Sequence, residues 1–322
     1  MKILVTGGAG FIGSHLVEEL LRRGKEVFVL DNFSTGGREN IEHLLPDPHF
    51  HLTVDSILNE ETVEKLMKEC NEVYHLAAAV GVKLVMERPV ETLETNVRGT
   101  EIILKYANKY QRKVFIASTS EIYGKHKDHS LKEDDNRVMG TIRKRRWAYA
   151  CSKSLDEFLS LAYYDEYKLP VVIGRYFNTV GPRQTGAYGM VVPRFVQSAL
   201  KGDPITVHGN GKQSRCFTYV SDVVKATLAL MDHPRAIGDV FNIGSEEEIT
   251  IKDLAKKVKK MTKSSSPIIY IPYDKVYGKR FEDMERRKPD ITKIRRLIRF
   301  SPSYNLDQIL KLIIEYYRKK LR

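Results

Sequence analysis

Cysteine is scarce in this chain: Cys70, Cys151 and Cys216 are its three, and they stand far apart. Their spacing forms no metal-ligand or redox pattern, so no metal is expected, and a reduced, cytoplasmic protein is. Long apolar runs are missing as well; none approaches the roughly 20 residues that cross a bilayer, so no membrane partner is expected. The first strand starts at Ile3, which leaves no room for a signal peptide ahead of it. Internal repeats and low-complexity tracts are absent too.

Acidic charge is in deficit. The chain carries 41 Asp and Glu against 53 Lys and Arg, a net charge of +12. Much of the excess sits in Lys252 to Lys263 and in the tail Tyr316 to Arg322, which read as solvated helical faces. Nucleic acid is therefore not an expected partner, although a basic cleft for a doubly charged nucleotide would use a few of these groups. With 322 residues and 42% hydrophobic content, the chain suits a large nucleotide-binding domain plus a smaller one.

What is present begins at once. Ile3, Leu4 and Val5 make a short apolar run that predicts a buried strand ending at Thr6. Glycines follow at Gly7, Gly10 and Gly13, enclosing Phe11 and Ile12. Ile12, Leu16, Val17, Leu20 and Leu21 then share one helical face, and Gly24 stops that helix. Lys25 to Leu30 predicts a second strand, closed by Asp31. Strand, glycine turn, helix, strand and acid is the order of a dinucleotide fold. The first glycine allows the turn, the second lets a pyrophosphate approach the backbone, and the third lets helix and strand pack closely. The free N–H groups of the helix face the phosphates. Asp31 can accept from a ribose, and its charge would repel a 2′-phosphate, so the expected cofactor is NAD.

Strand and helix continue to alternate to about Tyr176, predicting an α/β, Rossmann-type, doubly wound parallel sheet. Asp55 follows the third strand, on the adenine side. Leu76, Ala77 and Ala78 end the next one without bulk, where something flat must approach. Asn96 lies inside the helix predicted over Pro89 to Tyr106. Residues 127–147 are charged and unpatterned, a loop or lid rather than core. Ile205 to Val207 and Cys216 to Val220, joined through His208-Gly209-Asn210-Gly211, look like a hairpin. The expected division is an NAD-binding domain over residues 1–178, with about 211–245 returning to it. A smaller, interleaved α/β substrate domain takes residues 179–322.

Tyr149 and Lys153 are four apart near the start of a predicted helix and share a face. An ammonium beside a tyrosine stabilises the phenolate and lowers its pKa, making a base that can take a proton from a sugar hydroxyl. Thr119, at the end of a parallel strand, supplies a hydroxyl to the same oxygen. Tyr-x-x-x-Lys alone is more often an ordinary helix surface; behind a nucleotide fold and Ser118-Thr119-Ser120-Glu121 it is not.

The set TGGAGFIGSH (6–15), DNFSTG (31–36), HLAA (75–78), NVRGT (96–100), STSEIYG (118–124), YACSK (149–153) and RYFNTVGPR (175–183) resembles the extended short-chain dehydrogenase/reductase family. The likeness is to its nucleotide-sugar epimerases, dehydratases and decarboxylases. It implies that Gly7, Gly10, Phe11, Ile12, Gly13, Asp31, Asn32, Asp55, Leu76, Ala77, Ala78, Asn96, Tyr149 and Lys153 hold NAD. It implies that Thr119, Tyr149 and Lys153 are the catalytic group, and that the cofactor stays bound and is recycled. A UDP-sugar would meet Thr119, Ser120, Glu121, Asn178, Arg183, Val192, Arg215 and Arg280. A homodimer through helices near 92–108 and 148–166 is the family default.

Members of this group first oxidise the sugar at C4, then diverge. A 4,6-dehydratase usually carries Asp-Glu where this chain has Ser120-Glu121, so dehydration is disfavoured. Thr119-Ser120-Glu121 and Glu285-Arg286-Arg287-Lys288-Pro289-Asp290 resemble UDP-glucuronate decarboxylases, which would give Glu121 and Arg287 catalytic roles. Tyr149-Ala150-Cys151-Ser152-Lys153 and the run from Gly181 to Phe195 resemble UDP-glucuronate and UDP-glucose 4-epimerases, with Thr185 and the Arg183/Arg194 region as holders of a carboxylate. The favoured expectation is a UDP-sugar 4-epimerase, with the decarboxylase as alternative and an inactive NAD-binding scaffold as a different class.

Overall fold

The computed structural model describes every residue except Lys127, Asp128, Tyr188 and Arg322. The parts of the charged loop, the 186–189 turn and the basic tail that fall on those four lie outside the described residues.

Seven parallel strands form the main sheet: β1 (Lys2–Thr6), β2 (Glu26–Asp31), β3 (Phe50–Val54), β4 (Glu72–His75), β5 (Lys113–Thr119), β6 (Val171–Tyr176) and β7 (Asp239–Ile243). Their order is β7-β6-β5-β4-β1-β2-β3, so the chain reverses direction across the sheet between β1 and β4. Open α/β sheets leave a crevice at that reversal, beyond the carboxyl ends of the strands.

Alternation within each strand explains the two layers around the sheet. Ile3 and Val5 of β1 pack with Leu16, Val17 and Leu20 of α1 (Phe11–Arg22) on one face. Leu4 points the other way, among Val63 and Met67 of α2 (Glu60–Glu69) and Ile102 and Ile103 of α3 (Pro89–Tyr110). α4 (Trp147–Tyr167) packs beside α3, and α5 (Val220–Asp232) lies beside α1. A separate core joins Phe195, Val196, Leu254, Val258, Ile309 and Ile313, from three amphipathic helices of the carboxyl-terminal part. Among the described residues, no helix is long and apolar enough to cross a membrane.

Two expectations are corrected here. The hairpin does not form: Ile205–His208 pairs in parallel with Ile268–Ile271 instead. Gly209 and Gly211, both at positive φ, turn the chain away, and Ile205 and Val207 are buried in the carboxyl-terminal core. Ser214–Cys216 then lies between Glu248–Thr250 and Arg286–Arg287, with Arg287 in register opposite Arg215. Residues 129–146 are irregular loop, as expected, but they are anchored in the core rather than outside it. Leu131 and Trp147 are buried with Ile122, Tyr123, Phe177 and Met284, and Gly124 bridges Val138. Its polarity hid these anchors because they are spaced without a helical or strand period. Two short helices, Val82–Glu87 and Thr292–Ile298, were also not anticipated.

Candidate active site

A cavity of about 800 Å³ opens at the reversal of the sheet and runs into the carboxyl-terminal part. Gly7, Gly10, Phe11, Ile12, Gly13, Asp31, Asn32, Asp55, Leu76, Ala77 and Ala78 line its sheet end. Gly7 sits at φ +72°, and a Cβ on Gly13 would stand 2.1 Å from the Gly7 carbonyl oxygen. Neither position tolerates a side chain. No side chain caps α1 and no acid lies in its first turn, which leaves the positive end of the helix to the cavity. Asp31 accepts hydrogen bonds from the amides of Ala9 (2.9 Å) and Phe33 (2.8 Å). Its carboxylate is thus aimed beside the glycine turn with acceptor capacity left. Asp55 is held by the Ser56 amide, Asn59 and Thr62. These features fit a dinucleotide. Asn96 is the exception: it is buried outside the cavity lining and bonds both the amide and the carbonyl of Ala79, pinning the backbone beyond β4.

Thr119 ends β5 and caps a 3₁₀ turn, its Oγ1 accepting from the Glu121 amide at 3.2 Å. Tyr149 is in the first turn of α4 and lines the same cavity as Thr119. Lys153, one turn on, does not line the cavity; its ammonium donates to Asp156 at 2.7 Å, both groups buried. The expected depression of the Tyr149 pKa is not what the protein alone supplies. Burial drives that phenol above its ordinary value, the Glu121 and Asp156 carboxylates push it further, and Thr119 and Arg146 oppose them. The physical reason is that a deeply buried oxygen resists charge, and the nearest ammonium is already shared.

Beyond Thr119 lies a cluster of ionised groups. Arg146, almost fully buried at the start of α4, forks onto both oxygens of Glu121, with Nη2 to Oε1 at 2.8 Å. Arg287 reaches the same Oε1 and the Ser120 hydroxyl, each at 3.4 Å. Burial raises the Glu121 pKa, but Arg146 and Arg287 outweigh it and hold the carboxyl below its ordinary value. Burial and then the neighbouring Arg215 bring Arg287 down to about 10. Arg215 donates to Asp283 at 3.0 Å and to the Met284 carbonyl at 2.9 Å. Arg194 bonds His208, whose Nδ1 is 3.0 Å from the Tyr277 hydroxyl; burial and then Arg194 lower that histidine to about 4. The Nε atoms of Arg146, Arg194 and Arg287 are buried without a partner among the described residues. Arg146, Arg194, Arg215 and Arg287 all line the cavity, and guanidinium groups there suit an oxyanion-rich ligand.

Comparison with known proteins gives the family. Residues 4–313 match the model described as GDP-mannose 4,6 dehydratase. The chain belongs to the extended short-chain dehydrogenase/reductases. It is 46% identical over 319 residues to the UDP-N-acetyl-alpha-D-glucosaminuronate decarboxylase of Bacillus cytotoxicus, covering 99% of this chain and 98% of that protein. It is 37% identical to UDP-glucuronic acid decarboxylase 1 of Arabidopsis thaliana, covering 100% of this chain and 71% of that protein. Among solved structures, the UDP-glucuronic acid 4-epimerase of Bacillus cereus, in complex with UDP-glucuronic acid and NAD, superposes with a TM-score of 0.90. The two are 30% identical over 99% of this chain and 100% of that one.

In this short-chain dehydrogenase/reductase, the remaining expected residues divide. Asn178, Val192 and Arg215 line the cavity, and Asn178 anchors the Cys216 carbonyl at 2.9 Å. Ser120 is buried behind Arg287. Arg183 is turned away to Glu18 of α1, at 2.5 Å, and Arg280 is exposed outside the cavity lining. Both expectations came from position along the chain, which does not record that Arg183 is taken up by Glu18 or that Arg280 stays at the surface. Sequence reasoning missed Arg146, Asp283 and Tyr273, which donates to Asp283 at 2.8 Å. Arg146 had a usable signal: it stands three residues before Tyr149, hence on the same helical face.

Proposed function

We propose that this NAD-dependent UDP-sugar enzyme is a UDP-hexuronate decarboxylase, acting on UDP-N-acetylglucosaminuronate or UDP-glucuronate. The observation that carries the reading is the meeting of Glu121 and Arg287 beside Thr119 and Tyr149. They come from the two segments that resemble decarboxylases, and the 46% identity over nearly the whole of one such enzyme supports it. The epimerase expectation rested on Tyr149 to Lys153 and on the run through Arg183, and Arg183 faces Glu18 rather than the cavity.

Bound NAD would be held by Gly7, Gly10, Gly13 and Asp31, and it supplies a reversible two-electron oxidation at C4 of the sugar. Tyr149 takes the proton of the 4-hydroxyl, with Thr119 hydrogen-bonded to the same oxygen. The resulting ketone is β to the C6 carboxylate, so the C5–C6 bond can break with its electron pair moving onto the C4 oxygen and CO₂ leaving. Tyr149, now a phenol, and Thr119 donate to that oxygen as charge grows on it. C5 then takes a proton from water, and return of the two electrons to C4 and of the Tyr149 proton to its oxygen completes the cycle.

Arg287 sets the carboxylate's fate. A strong, unshared guanidinium would stabilise the carboxylate and slow its loss. Here Arg287 is already shared with Glu121 and stands beside Arg215, so its guanidinium is not free to grip the carboxylate alone. It can orient the group while the Glu121 anion repels it. At the end of the cavity away from the glycine turn, four arginines, Arg146, Arg194, Arg215 and Arg287, against Glu121 and Asp283 leave a local positive charge that suits a diphosphate and a carboxylate together. We also read the protein as a homodimer through α3 and α4, on which Leu93, Leu155 and Phe158 are exposed.

Incubation with NAD and each UDP-hexuronate, followed by mass and NMR, tests the function. Loss of one CO₂ from the sugar is expected. A product of unchanged mass with an inverted C4 hydroxyl would make the protein the epimerase instead.

A further inference from the structure

Beneath the catalytic tyrosine runs a strip of buried polar groups that the reaction outlined above does not use. Lys153 Nζ donates to Asp156 Oδ2 at 2.7 Å, and the second carboxylate oxygen is buried with no hydrogen-bond partner among the described residues. Thr100 of α3 stands beside that carboxylate, and its hydroxyl lies 3.1 Å from Nε2 of His75. Nδ1 of His75 in turn lies 2.8 Å from the Thr6 hydroxyl, which accepts from the Ala77 amide at 3.3 Å. Thr6, His75, Thr100, Lys153 and Asp156 are all at most 2% exposed. The strip therefore ties the catalytic helix to the ends of β1 and β4, where the dinucleotide would lie.

We propose that Asp156 is a positioning residue: it holds the Lys153 ammonium in this buried strip, off the cavity lining that Tyr149 joins, and shares its charge, so that Tyr149 returns readily to the phenol. The usefulness of this rests on the decarboxylase reading. A lysine free to face Tyr149 would favour the phenolate and so the first oxidation. Loss of CO₂ needs the opposite, a phenol that donates to the C4 oxygen while electrons move onto it. An anion at Asp156 moves the balance toward the donor, in company with burial and Glu121, against Arg146 and the Thr119 hydroxyl. The groups facing Asp156 itself are Lys153 and Glu157 on its own helix, Thr100 on α3 and, through it, His75 on β4, which burial and Lys153 keep neutral near neutral pH.

The test is Asp156→Asn in the full chain with NAD. Two quantities are measured across pH, NADH formed on adding UDP-hexuronate and CO₂ released. NAD affinity is read separately from the fluorescence of the single tryptophan, Trp147. The acid limb of NADH formation should move down by about one pH unit, as removal of a nearby like charge predicts. NAD should bind at least as tightly, and NADH with the 4-keto sugar should accumulate because CO₂ release lags. An unmoved limb, or NAD binding weakened together with the rate at every pH, overturns the assignment. Thr100→Val, which keeps the ion pair but removes the polar neighbour of Asp156, should shift the limb the same way and less; no shift there overturns it if the first variant does not fold. Should the unmodified enzyme release no CO₂ from either sugar, the decarboxylase reading fails, while the movement of the limb still judges Asp156.

Discussion

Replacing Arg146 by Met isolates the pair on which the anionic side of the cavity depends. Arg146 is 2% and Glu121 12% exposed at the side chain, so the pair is desolvated but not sealed. Breaking a buried pair by removing one partner costs about 3–5 kcal/mol, because the other charge is left behind. Glu121 keeps Arg287 as a weaker partner at 3.4 Å and a little solvent, which favours the lower end, about 3 kcal/mol. For a chain of 322 residues that is a fall of about 4 °C in Tm. The deficit carries a pH signature. In the native protein Glu121 titrates below its ordinary value, so its contribution is present above the unfolded pKa and is lost as pH falls through the folded one. Without Arg146, burial and Asp283 outweigh Arg287 and the carboxyl moves above its ordinary value. The variant then loses stability as pH rises through that raised pKa. The difference in Tm should therefore be widest at about pH 8 and shrink toward about pH 4, near the unfolded carboxyl's own pKa. Thermal unfolding of Arg146→Met, Glu121→Gln and the double variant at several pH values provides the assay. The double variant should recover at least about 1 kcal/mol relative to the sum of the singles. Strict additivity, or a deficit that does not change with pH, would refute the coupling of these two groups and with it the account of the ionised Glu121.

Three further outcomes are expected. Tyr149→Phe should abolish NADH formation on addition of UDP-sugar while leaving Tm and NAD binding close to those of the native protein; retained turnover would remove Tyr149 from the mechanism. Gly13→Ala should prevent NAD retention through purification and lower Tm, since the added Cβ would stand 2.1 Å from the Gly7 carbonyl oxygen; an alanine variant that copurifies with NAD would show that the cradle is not where the dinucleotide lies. Phe158→Asp, at an exposed aromatic on α4, should halve the mass measured by light scattering without loss of helix content, and an unchanged mass would place any dimer contact elsewhere.

The epimerase and decarboxylase expectations drew on different segments of the chain, and those segments end up in different places in the fold. Arg287 is brought to Glu121 only because Arg286–Arg287 pairs beside Ser214–Cys216, a strand that the hairpin expectation had given to another partner. Arg183 was expected at the substrate and is instead bonded to α1. In both cases the residue type suited the role, and only the path of the backbone settled whether the side chain could reach it.

The amino-terminal half was legible because its signals are local. Glycine spacing, the apolar face from Leu16 to Leu20, the acid closing β2 and the four-residue step from Tyr149 to Lys153 are all set by chain geometry over a few residues. Those short spacings determined the sheet, its cofactor end and the face of α4 that carries Tyr149 and Lys153. Contacts between residues far apart in the chain were left to the tertiary structure. Glu121 meets Arg146 across 25 positions and Arg287 across 166, while His75 is joined by Thr100 to the strip that holds Lys153. No periodicity records such meetings, since a buried charge is stabilised by whichever partner the fold brings within a few ångströms and not by its neighbours in the chain.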